Sequence, residues 1–380
     1  MLPGGGARAA YQVGVLRAIA DLFPGEAIPF PIIVGTSAGA VSASVLATQA
    51  FRWHKAVDTL EEVWSNFHVH QVFHSDPWRM LRSGLHWGVS LLSGGVLAPP
   101  RALFDNTPLR ELLEQHIHFD HLRASVRRGS LQALALCATS YNSATSVAFF
   151  DGKPMTDDWN RVQRVGRREA LTLDHLMASM SVPFLFPPVM LNGQFYGDGA
   201  QRQLWPLSPA IHLGADRLLI IGVRAQEASG VSTNGGSIQI APSPGQLFGY
   251  MLDTLFMDQI FANVEHVARL NQVAKIAPQA VPDVRKVGTF LMLPSEDLQA
   301  IAFRHVKSLP RGLRALLRVM GARGSAGAEL ASYLMFESTF TRELIALGIK
   351  DAFAQREELL EFLGGNQLSH TIKLPALRGH

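Results

Sequence analysis

The chain has 380 residues, 47% hydrophobic and 17% charged, with a formal net charge of +3. This composition describes a globular chain able to bury a large core and excludes a disordered one. The positive charge is far below what a nucleic-acid reader concentrates. The single cysteine, Cys137, excludes an intrachain disulfide and suits a reducing compartment. No uncharged run reaches the roughly 18–20 apolar residues of a spanning helix. No basic stretch followed by an apolar one opens the chain, so no signal peptide is expected. The expectation is a soluble, cytoplasmic protein whose membrane contact, if any, is peripheral.

After Pro3 come Gly4-Gly5-Gly6, then a helical pattern with Val15, Leu16, Ile19 and Leu22 at helix spacing, closed by Pro24-Gly25. The apolar run Ile32-Ile33-Val34 ends abruptly in Gly35-Thr36-Ser37-Ala38-Gly39, and a small-residue helix follows through Val41, Val45 and Leu46. Strand, sharp turn and helix make one half of a βαβ unit. Further buried strands are predicted at 131–138, 146–150, 218–223 and 289–293, with helical stretches between them. The fold class is therefore α/β, with layers of helices flanking a mostly parallel central sheet. Residues 226–245 are rich in Gly, Ser, Asn and Pro and read as a flexible loop. Helical patterns follow at 246–273, 311–321, 329–347 and 349–363. The expected organisation is a core of residues 1–225, the loop 226–245, and a mostly helical part, 246–380, packed on the core.

G-x-S-x-G places a serine on a strained turn where small neighbours let substrate approach Oγ. The helix beginning after Ser37 directs free N–H groups and its positive dipole end at the same spot, which favours negative charge on an acyl oxygen. For the glycine loop Gly4-Gly5-Gly6-Ala7-Arg8 two readings compete, a phosphate cradle and an oxyanion hole. A dinucleotide fingerprint would need glycine at position 9, which is Ala9, and no Gly-Lys-Ser/Thr follows. A glycine loop one helix ahead of the serine turn suits the oxyanion role better.

A serine hydroxyl needs a base. Among 14 histidines none carries a clear signature: His54, His68, His70 and His74 lie on and after one helix, and His116, His118 and His121 cluster without specific metal-ligand spacing. Asp198, in Gly197-Asp198-Gly199-Ala200, is the better candidate. An aspartate is a weak base in water, but held against the Ser37 Oγ in a partly desolvated cleft it can take the proton as the attack proceeds. Its ordinary alternative is Asp-Gly turn chemistry.

Gly4-Gly5-Gly6-Ala7-Arg8, Gly35-Thr36-Ser37-Ala38-Gly39 and Asp198-Gly199-Ala200 resemble, in this order, the three signature blocks of the patatin-like phospholipases, here of bacterial type. Ala178-Ser179 through Pro183 and Phe186-Pro187-Pro188 resemble the family segment ahead of the aspartate. The resemblance covers about residues 3–225 and implies a three-layer fold. It implies Ser37 as nucleophile, Asp198 as general base and an oxyanion hole at Gly4, Gly5, Gly6 and Arg8, chiefly the amides of Gly5 and Gly6. The implied reaction is hydrolysis of lipid acyl esters through an acyl-enzyme, with no cofactor and no metal. The implied partners are a lipid or acyl-ester substrate and the surface of an anionic membrane; a homodimer is left open, and no nucleic acid is expected.

Two departures stand out. Ala9 replaces a usual glycine, and only Met1-Leu2-Pro3 precede the glycine loop where the family has a full strand. The loop is therefore expected to lose an anchor. Residues 84–100, free of acid, lysine and arginine, read as a lid, an interfacial patch or a buried crossover. Residues 298–328 carry Arg304, Lys307, Arg311, Arg314, Arg318 and Arg323 with no acid, and Leu313, Leu316, Leu317 and Met320 share one helical face. That pattern fits either docking on anionic membrane or a surface helix seated on the core. A histidine-based α/β-hydrolase, a nucleotide-binding module and a catalytically silent interaction fold remain as alternatives, as does transfer of the acyl group to an alcohol.

Overall fold

The computed structural model describes residues 1–74, 93, 102–154, 157–225, 241–277, 279, 285–322 and 327–364. The first strand and its flanking helices follow the predicted order: α1 (Ala10–Leu22), β1 (Ile32–Thr36), α2 (Ala38–Thr48), α3 (Trp53–Ser65) and α4 (Val69–Val72). Next come α5 (Thr107–His116), α6 (Asp120–Arg127), β2 (Ala133–Ser140), β3 (Thr145–Gly152), β4 (Trp159–Arg161) and β5 (Arg164–Arg168). They are followed by α7 (Leu173–Met180), β6 (Val189–Leu191), β7 (Gln194–Asp198), α8 (Ser208–His212) and β8 (Arg217–Ile221). The C-terminal part holds α9 (Pro244–Asp253), a π-helical turn (Thr254–Asp258), α10 (Gln259–Ile276), β9 (Gly288–Met292) and α11 (Leu298–His305). It closes with α12 (Arg311–Val319), α13 (Ala328–Leu334), α14 (Ser338–Ala354) and α15 (Arg356–Gly364).

Strands β1 to β7 form one seven-stranded sheet flanked by helices, so the layered α/β class holds. The sheet is mixed: β1–β2 and β3–β5 pair parallel, whereas β2–β3, β2–β7, β4–β5 and β6–β7 pair antiparallel. The expectation of a mostly parallel sheet counted only apolar runs, and short hairpin strands carry little such signal. Every residue of β2 is buried, as a strand covered on both faces must be. β8 and β9 pair parallel in a separate two-stranded sheet.

The glycine loop keeps its anchor, contrary to expectation. The Leu2 amide donates to the Val34 carbonyl (2.9 Å) and Thr36 donates to Leu2 (3.1 Å), while Ile221 donates to the Met1 carbonyl (3.2 Å). Residues 1 and 2 thus act as a short strand between β1 and β8. Buried Gln12 on α1 fixes the next residue, donating from Nε2 to the carbonyls of Pro3 (2.9 Å) and Ile221 (3.0 Å).

The C-terminal helices are part of the same packed body. α14 lies against α1, where a side chain at Gly14 or Gly348 would collide with the backbone of the opposing helix. On α12, Leu313 and Leu317 are buried. Leu313 and Leu317 are therefore seated on the core, while Arg311, Ala315, Arg318 and Val319 stay exposed. Residues 84–100 apart from Ser93, and residues 226–240, lie outside the described residues. No helix among the described residues is long and apolar enough to cross a membrane.

Candidate active site

β1 ends at Thr36, in register with Cys137 of β2. Ser37 follows in a left-handed conformation, φ 54° and ψ −131°, and caps the start of α2. Holding a serine there costs on the order of 1–3 kcal/mol, and it persists only where the surroundings dictate it. They do: the Ser37 amide donates to Ser179 Oγ (3.0 Å), Ser179 Oγ donates to the Cys137 carbonyl (2.6 Å), and Ala40 donates to the Ser37 carbonyl (2.8 Å). Gly35 and Gly39 are required by close approach, since a Cβ would strike Ala40 in the first case and the Leu2 carbonyl in the second. Ser179, known from the sequence only as part of a resembling block, is the peg that holds the turn.

Asp198 reaches the same place from the opposite direction. β7 runs antiparallel to β2 and ends with Asp198 opposite Ala138, the residue after Cys137. β3 fills the other edge of β2, so β1 and β7 share one edge and meet end to end. This juxtaposition brings Ser37 and Asp198 together. The Asp198 amide donates to Ser181 (2.8 Å), and Thr139 Oγ1 donates to the Asp198 carbonyl (2.9 Å). The neighbouring glycines give close packing: a Cβ at Gly199 would strike the Cys137 carbonyl, and one at Gly197 the Tyr141 hydroxyl.

The Asp198 carboxylate is 1% exposed. Oδ1 accepts the Ala200 amide (2.9 Å), while buried Oδ2 has no partner of normal geometry among the described residues. Burial raises the pKa from 3.8 to about 7, against the smaller lowering by the nearby Ser37 hydroxyl and the Ala200 amide. The Cys137 thiol, close by, is pushed up to about 12 by burial and stays protonated.

The glycine loop lies directly against Ser37, and a Cβ at Gly4 would fall 2.9 Å from the Ser37 Cβ. Gly6 adopts φ 53°, a conformation glycine takes freely. Among the described residues the Gly4 and Gly5 amides donate no hydrogen bond. Arg8 is no solvated surface residue. Its guanidinium is buried, donates to Ser332, Asp253 and Tyr333, and stacks on the Tyr333 ring at 3.9 Å. Asp253, Ser332 and Tyr333 had no motif to reveal them.

Ser37 opens into an apolar pocket of about 60 Å³ that runs past Gly6 and Val41 to Trp64, Phe67, Phe256 and Phe336. Trp64, Phe67 and Phe336 pack on one another with ring centroids 5.1, 5.7 and 6.5 Å apart. No histidine is among the pocket's described lining residues. His116, His118 and His121 line a separate cavity with Arg52 and Lys55, and no metal-ligating cluster occurs among the described residues.

In this layered α/β body a serine turn, a facing carboxylate and a glycine loop thus meet in one place. The model of the patatin-like phospholipase family matches residues 1–211, more than half of the chain, and the protein belongs to that family, whose members act on lipids. No curated protein matches the chain.

Proposed function

We propose that the protein hydrolyses lipid acyl esters with Ser37 as nucleophile and Asp198 as general base. The observation that carries this reading is the end-to-end meeting of β1 and β7 on β2, which sets a buried carboxylate with an unpartnered oxygen beside the serine. Ser37 Oγ attacks the acyl carbon and its proton passes to Asp198 Oδ2. The resulting oxyanion is met by the amides of Gly5 and Gly6 and by the N-terminal end of α2. Collapse breaks the ester bond, and the departing alcohol takes the proton from Asp198. Water then attacks the acyl-enzyme by the same route, freeing the fatty acid and restoring Ser37.

A carboxyl of ordinary acidity would be a feeble base, whereas one near pH 7 is matched to the working range. The apolar pocket takes the acyl chain. Arg311 and Arg318, exposed on α12, supply electrostatic attraction to anionic membrane, without the insertion that a free apolar face would give. The tight backing of the glycine loop by Phe256, Val223 and Tyr333 disfavours a phosphate cradle.

The test is a hydrolysis profile over phospholipids, lysophospholipids, glycerides and p-nitrophenyl esters, with fluorophosphonate labelling. Ser37→Ala should lose both labelling and turnover, and Asp198→Asn should lose turnover. Labelling and hydrolysis that survive Ser37→Ala would overturn the reading.

A further inference from the structure

The three loop glycines are each backed by a residue from a different segment. A Cβ at Gly4 would strike the Phe256 ring, one at Gly5 would fall 2.6 Å from Val223 Cγ2, and one at Gly6 would strike the Tyr333 carbonyl. These backing residues are not independent. Phe256 sits in the π-helical turn that starts immediately after Asp253; Val223 precedes Arg224; Tyr333 follows Ser332. Those same segments converge on Arg8 in a polar cluster.

Arg8 Nη1 donates to Asp253 Oδ1 (2.9 Å) and to the Tyr333 hydroxyl (3.0 Å), which itself donates to Asp253 Oδ1 (2.9 Å). Arg8 Nε donates to Ser332 Oγ (2.7 Å). Arg224 Nη1 donates to Asp253 Oδ2 (2.7 Å) and to Asp258 Oδ1 (2.7 Å). The nearly buried Asp253 carboxylate lies between the two guanidiniums, while the more exposed Asp258 also pairs with Arg224 and Glu329 lies within electrostatic reach of both arginines. Burial pulls the Asp253 pKa upward, but Arg8, Arg224 and the Tyr333 hydroxyl hold it below the ordinary carboxylate value. The carboxylate is therefore ionised wherever the enzyme works. π-turns are rare and concentrate at functional sites; here one sets Asp253 toward Arg8 and Phe256 against Gly4.

We propose that Asp253 is a positioning residue for acyl transfer, holding the glycine loop at the oxyanion through Arg8 while Arg224 holds Asp253. It rests on the reading of Ser37 as nucleophile. The cluster lies beyond residues 1–211, apart from Arg8 itself. The C-terminal helices thus complete a site whose reacting groups all come from the family-matched part. Removing the charge at Asp253 leaves the Arg8 guanidinium without its paired carboxylate and lets the loop shift, and an oxyanion hole is sensitive to such shifts.

The test is Asp253→Asn, which keeps the side chain's size. Active sites are titrated with a fluorophosphonate, and kcat and KM for p-nitrophenyl butyrate are expressed per titrated site. The expected result is a fall in kcat of about 10- to 100-fold with KM within about threefold, and a matching fall in the fluorophosphonate labelling rate. A merely structural role would lower the fraction of titratable sites and leave the rate per site unchanged; that result would overturn the proposal. Should Asp253→Asn not fold, Arg224→Lys decides. Its kcat per site should fall about three- to tenfold with the titratable fraction retained, and an unchanged kcat per site would refute the proposal. As a control, Glu343→Gln, which removes a carboxylate paired with Arg304 and His305, should leave kcat per site within about twofold. Ser37→Ala that still labels and turns over would instead refute the underlying reading of the nucleophile.

Discussion

Replacing Asp198 by asparagine should abolish turnover and, at alkaline pH, stabilise the folded chain. The unfolded carboxyl titrates in its ordinary range, whereas burial moves the folded one from 3.8 to about 7. Between those values the folded state holds a proton that the unfolded state has released, so stability falls as pH rises through this window. At about 1.4 kcal/mol per unit, the ionised carboxylate at pH 8 weakens the fold by about 4 kcal/mol relative to strongly acidic pH. Asparagine carries no such dependence and keeps the bond from the Ala200 amide, but its own N–H₂ lacks an acceptor, which costs about 1–3 kcal/mol. The net gain at pH 8 is then about 1–3 kcal/mol. An unfolding entropy of about 2.1 cal/mol/K per residue, over 380 residues, gives about 0.8 kcal/mol/K. The Tm of Asp198→Asn relative to the parent should therefore climb by about 3 °C between pH 5 and pH 8. Scanning calorimetry of both proteins across that range measures it. A Tm difference that does not change with pH would refute the assignment of a buried, late-titrating carboxylate. In the parent enzyme, kcat/KM should rise tenfold per pH unit below about 7 and level off above it.

Ser37→Gly should be more stable than Ser37→Ala by about 1–2 kcal/mol in urea unfolding, because only glycine relieves the positive φ; equal stabilities would argue against a strained turn. Ser179→Ala removes the acceptor of the Ser37 amide, and should destabilise by about 1–3 kcal/mol and lower kcat about tenfold. Trp64→Ala should move the preferred acyl chain of p-nitrophenyl esters to greater length, since it opens the aromatic wall of the pocket; an unchanged chain-length profile would place the acyl chain elsewhere.

The strands legible in the sequence were those with uninterrupted apolar runs, β1, β2, β3, β8 and β9. β4 and β5 escaped because Trp159–Arg161 and Arg164–Arg168 are short and polar at five of their eight positions, with no apolar run. β6 and β7 are short, yet Asn192-Gly193, both at positive φ, is the two-residue hairpin turn that marks such a pair. Ser37 and Asp198 were visible because glycines flank them. Arg8 was visible as a residue and not as a contact. Its partners lie hundreds of residues away on helices whose periodicity reports burial and says nothing of pairing. The anchor formed by Met1 and Leu2 was hidden too, since two residues leave no periodic trace and their pairing is decided by the strands on either side.

The end-to-end arrangement of β1 and β7 makes β2 a gauge for the distance between the two candidate reacting groups. Neither strand measures the other; each is read off against consecutive residues of β2, Cys137 and Ala138. A slip of one position in either pairing would displace its side chain by about 3.3 Å and turn it to the opposite face. The long excursion between Ser37 and Asp198 is thereby released from any duty to set their spacing. Length changes within it are tolerable so long as both strands return to their marks. The burden falls instead on Cys137 and Ala138, which take no part in the chemistry. Variation along this chain should accordingly be least welcome at a pair of small residues that no search for reactive groups would select.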